Sequence, residues 1–143
     1  MKTKSLWSLL VLAILFSSCG KPDFTDEEGR QARLFLEVQK ADLQAIQIQN
    51  SRQAFGKINK EDYLEMLRLR KKALDMARQI PDQVLVKIHK DLPVEFSKYK
   101  KSLSLQIANL EEGDIRAEIV GCALHDKWVD WFNANKSDLR IPK

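Results

Sequence analysis

The chain has 143 residues, 44% of them hydrophobic and 31% charged, which suits one globular domain and excludes both a disordered chain and a pair of full-sized domains. Its formal net charge is +4, but Lys2 and Lys4 belong to a distinct N-terminal segment; taking those two from the 24 basic residues leaves 22 against 20 acidic ones, and nucleic acid is not indicated as a partner. With 5 Gly, 4 Pro and few β-branched runs, the composition points to helices.

Residues 1–18 read as a cleaved secretory signal. Lys2 and Lys4 supply its positive start, and the apolar run from Leu6 to Phe16 is too short for a permanent bilayer span of ~20 residues. The small residues Ser17 and Ser18 then precede Cys19 and Gly20. This order resembles a bacterial lipoprotein precursor, whose cleavage box has an aliphatic residue, two small residues and an invariant cysteine; Phe16 stands where leucine is usual. The resemblance is confined to residues 1–20. It implies cleavage before Cys19, a diacylglycerol thioether on the Cys19 sulfur and an acylated amine, enough chains to hold a protein firmly to a bilayer. Gly20, not Asp, follows the cysteine, so the resemblance implies the outer membrane, facing the periplasm. Residues 19–25 then form the lipidated cysteine and a tether that reaches ~20 Å at most.

The domain proper is expected over residues 26–135. Thr25 and Glu28 form a capping box for a first helix, with Asp26, Glu27 and Glu28 at its positive end. Leu34, Val38, Ala41, Ala45 and Ile48 make its apolar stripe, widened by Phe35 and Ile46; Leu36 and Leu43 on the other side suggest some cover there too. Gly56 after Phe55 is the stop signal. Asn59 caps a second helix whose inner face is Tyr63, Met66, Leu67, Ala73, Leu74, Ala77 and Ile80, ending before Pro81. Val84 to Ile88 has the residue preferences of a strand, but no second strand is there to pair with it. A short helix broken before Pro93 is expected instead.

Phe96, Tyr99, Leu103, Ile107 and Leu110 mark the next helix, with Pro93 in its first turn and Gly113 at its end. Asp114 is placed to cap the last. That stretch, Ile115 to Phe132, has Ala117, Val120, Leu124, Trp128, Trp131 and Phe132 on one broad face, extended by Cys122, His125 and Val129. A sector this wide is expected to be the centre around which the other helices pack, with both tryptophans buried. Residues 136–143 read as a polar tail. The expected fold is all-α, an antiparallel up-down bundle of about four helices.

Chemistry is sparse. Cys122 and His125 share a helix face and form a weak candidate ligand pair, but no third ligand is placed by spacing, so no metal is assigned. Cys122 has no disulfide partner if Cys19 is lipidated, and burial is its expected state. There is no C-x-x-C-H haem motif, and the Met-and-His ligation of small b-type cytochromes is not matched, because Met66 and Met76 both lie in the second helix. Arg68, Arg70, Lys71 and Lys72, with Lys98, Lys100 and Lys101, are the only basic clusters. They are a candidate surface for an acidic partner or anionic headgroups, although a solvated helix face is the plainer reading. No nucleophile, base and stabiliser can be assembled, so no enzyme activity and no cofactor are expected. The expected function is a membrane-anchored, non-enzymatic interaction protein of the bacterial envelope: an accessory subunit, inhibitor, immunity or exclusion factor with a protein partner. The alternative is a periplasmic bundle holding haem, metal or a lipid.

Overall fold

A computed structural model describes residues 23–53 and 58–143, with the backbone alone at 52 and 53. Cys19 and the expected stop at Phe55 and Gly56 lie outside the described residues. Among the described residues five helices form: α1 Asp26–Gln53, α2 Lys60–Arg78, α3 Asp82–Ile88, α4 Leu92–Glu112 and α5 Ile115–Asn135. The protein is all-α, and among the described residues there is no strand.

The helix ends follow from local chemistry. Thr25 and Glu28 cap each other reciprocally, backbone to side chain, at 2.9 and 3.2 Å. Asn59 Oδ1 accepts from the Asp62 amide at 2.8 Å to open α2. Pro93 falls in the first turn of α4, where its missing N–H costs nothing. Gly113 ends α4 at φ 71°, a left-handed conformation that favours glycine, and Asp114 then accepts from the Arg116 and Ala117 amides to start α5. The ambiguous segment is helical: α3 begins after Pro81 and stops at Ile88.

α1 packs on α2, α2 on α4, and α4 on α5, while α3 packs on α4 and α1. Side-chain pairs fix the directions. Phe35, Gln39 and Asp42 of α1 meet Phe132, Trp128 and His125 of α5 in reverse order, so those two helices are antiparallel. Phe35 and Asp42 meet Phe96 and Tyr99 of α4 in the same order, as expected of alternate members of an up-down bundle.

The helix at the centre is α4, not α5. Leu92, Phe96, Tyr99 and Leu103 are fully buried, and α4 is the one described helix whose backbone lies close to three others. α5 has only Ala117, Gly121 and Trp128 buried, and it is the outer member of the bundle. Its wide apolar sector does two jobs. Ala117 and Gly121 seat it closely on α4, where a Cβ on Gly121 would lie 3.1 Å from Leu105 Cβ and 3.3 Å from the Ser102 carbonyl oxygen. The far side, with Ile115 and Ile119, stays exposed, as do Val120 and Val129 on its flanks. Trp128 is buried as expected, whereas Trp131 is only partly so, stacking on Trp128 at 5.5 Å between ring centroids.

The C-terminal segment is more than solvated chain. The Arg140 amide donates to the Ile88 carbonyl at 3.0 Å, and Leu139 and Ile141 pack against the core. The first described residue, Asp23, whose carbonyl accepts from Lys87 Nζ, and this C-terminal segment therefore share the α3 end of the bundle.

Candidate functional site

The described residues concentrate their polar chemistry where α1, α2, α4 and α5 converge. α1 and α5 do not meet backbone to backbone; large side chains bridge them. Asp42 projects from the buried side of α1, next to Ala41 and Ala45, and only 3% of its surface is exposed. Its Oδ2 accepts from the Tyr99 hydroxyl at 2.8 Å and lies 2.9 Å from His125 Nε2. Alongside, Gln39 Oε1 accepts from the Trp128 indole N–H at 3.1 Å. From α2, Arg70 points inward with 5% exposure, and its Nη2 donates to Gln49 Oε1 at 2.9 Å.

The carboxylate, phenol, imidazole and guanidinium come together between the helices, and two of them are shifted by this setting. Burial, and then the Asp42 carboxylate, push the Tyr99 phenol well above its ordinary range, so Tyr99 remains a donor. Burial pulls the Arg70 guanidinium down, opposed chiefly by Asp42. Asp42 Oδ1 and Arg70 Nε make no hydrogen bond among the described residues. The cluster ties α1 to α4 and α5 across a gap that the backbones leave open, and aromatic rings wall it: Tyr99 stacks on Trp128 at 4.7 Å, and Phe35 meets Trp128 edge-on at 6.1 Å.

The structure separates the candidate ligand pair. His125 turns in to Asp42, while Cys122 lies exposed on the outer side of α5, contrary to the burial expected. Helical rotation explains this: with the inner face centred on Trp128 and Gly121, position 122 falls on the outward flank. Partial burial and the neighbouring Glu118 carboxylate push its thiol up, away from the reactive thiolate. Among the described residues no group of three or more His, Cys, Asp or Glu side chains is placed to hold a metal ion.

The basic clusters are dispersed. Arg70 is buried and does not belong to a surface. Arg68 pairs with Glu65, Lys71 with Glu111 and Lys98 with Glu95, while Lys100 lies over the Phe96 ring at 5.9 Å. Lys72 and Lys101 are exposed. Asp42 itself was not singled out from the sequence, although it interrupts the stripe of Val38, Ala41 and Ala45, where a charged residue signals a buried partner.

The other distinctive surface is the outer side of α5. Ile115, Ile119 and Cys122 are exposed there on neighbouring turns, Ile119 at 65%, with Asp126 and Asp130 further along the same side and Val120 and Val129 exposed on its two flanks. Comparison with protein-family models, with curated proteins and with solved structures finds no match.

Proposed function

We propose that this protein is a lipid-anchored, non-enzymatic interaction protein of the bacterial envelope, held by Cys19 at the outer membrane and facing the periplasm. It works as an accessory subunit, inhibitor, immunity or exclusion factor by engaging another envelope protein. The observation that carries the reading is the outer side of α5, where Ile115 and Ile119 stay exposed on successive turns beside Cys122, on a helix already seated on its bundle. Grouped exposed apolar residues mark contact surfaces more often than scattered single ones do. The short tether supports it as well, because confinement near a bilayer raises the effective concentration toward membrane-bound partners. The bundle axis is filled by Phe35, Phe96, Tyr99 and Trp128, and His125 is engaged by Asp42, which favours this reading over a bundle that holds haem.

The test is a photo-crosslinking side chain placed at Ile119 in the native envelope, with Lys72 on α2 as the control position. A discrete adduct at 119, absent at 72 and lost when Val120 is changed to Asp in the same chain, is the expected result. No adduct at 119, or equal labelling at both positions, contradicts the reading.

A further inference from the structure

The geometry points to a second contact surface: the α3 end of the bundle rests on the bilayer, with Val86 and Val94 in the headgroup interface. This rests on the reading of Cys19 as the lipidated residue, and it adds the pose in which the anchored domain is held.

Asp23, the first described residue, lies at the α3 end, where Lys87 Nζ donates to its carbonyl oxygen at 2.9 Å. The same ammonium donates to both carboxylate oxygens of Glu28, at 2.9 and 2.7 Å. The start of the chain is thus tied to α3 through one lysine. Cys19 precedes Asp23 by so few residues that the chain between them spans ~14 Å at most. A headgroup layer is ~5–8 Å deep, so it takes up about half of that reach and leaves little slack. A bilayer holding acyl chains on Cys19 must therefore lie close to the α3 end, and the far end, about 30 Å away along α4, stays clear of it.

The side chains at this end suit that environment. Val86 on α3 and Val94 in the first turn of α4 are exposed, Val94 at 61%, although each adjoins fully buried neighbours in Leu85 and Leu92. Phe24, Ile141 and Pro142 line a recess of about 530 Å³ at the same end, next to Asp23. Lys90, Arg140 and Lys143 are exposed in the segments that form this end, long enough for their amines and guanidinium to reach phosphate oxygens. Asp82, Asp91 and Asp138 share the same end, so it has no strong net positive charge. Contact is therefore driven by apolar insertion next to a fixed anchor, and it does not require anionic lipid.

The experiment uses the full lipidated protein with Cys122→Ala, so that an introduced thiol is the only free one. Val94→Cys and, separately, Ile115→Cys are labelled with an environment-sensitive fluorophore and reconstituted into phosphatidylcholine vesicles containing nitroxide-labelled headgroups. Ile115 is the matched control: it is apolar, 68% exposed and at the opposite end of α4 and α5. Both positions lie on the surface, so labelling leaves the core intact. Vesicles that float with the protein and quench position 94 at least threefold more than position 115 are the expected result. Co-flotation with equal quenching, with none, or with more at 115 overturns the inference while leaving the anchor in place. Protein that fails to float with the vesicles overturns the anchor reading, and this inference with it.

Discussion

A carboxylate with 3% of its surface exposed is stable in a helical core only while donors face it, and for Asp42 those donors come from two other helices. Removing one donor leaves the charge buried with less support. Tyr99→Phe is therefore expected to cost about 1.5–3 kcal/mol, the range for a hydrogen bond to a charged group, with little change in packing volume. The same residue predicts an alkaline limit. The phenol is held well above its ordinary value near 10.0 in the folded state, so above that pH the unfolded chain releases a proton that the folded chain retains. Stability is then fully present below about pH 10 and falls as pH rises further. Denaturant unfolding at pH 8 and pH 11 should show that fall in the wild type and a smaller one in Tyr99→Phe. Equal falls in both would remove Tyr99 from the explanation. The sequence contained the relevant signal in Asp42, a charge within an apolar stripe. It gave no means of choosing the partners, because Tyr99 and His125 lie 57 and 83 residues away in the chain.

Caps, breaks and stripes are local, and at the scale of the helix they were legible from Thr25, Asn59, Pro93, Gly113 and Asp114. The role of α5 was not. The breadth of an apolar sector is the same whether several helices cover it or one covers part and the rest is left open, and periodicity cannot separate the two cases. The feature that decides is small: Gly121 and Ala117 let α5 approach α4 closely, so that α5 needs no second neighbour to be seated. Gly121→Val should therefore push the helices apart and destabilise the domain by about 1–3 kcal/mol, through overpacking against the Ser102 carbonyl and the Leu105 side chain. Ala123→Val, on the exposed side of the same helix, should stay within about 0.5 kcal/mol of wild type. Thermal melts of the two variants compare them directly, and equal melting temperatures would mean that α5 is not seated through Gly121.

Taken as a whole, the molecule has an interior stapled by one polar cluster, one end that gathers both described chain ends, and an outer helix with an uncovered apolar side. The all-α bundle was readable because each helix announces itself through its own pattern. The order of packing around α4 was not, since it depends on which residues allow close approach. The functional account joins these features to the N-terminal segment, and it stands or falls on Cys19. The direct measurement is growth of the producing bacterium with labelled palmitate, followed by membrane fractionation of wild type and Cys19→Ser. The account predicts label on the wild type alone, with the variant released from membranes or accumulated as uncleaved precursor. An unlabelled wild type, or a variant that is processed and fractionates unchanged, would contradict it.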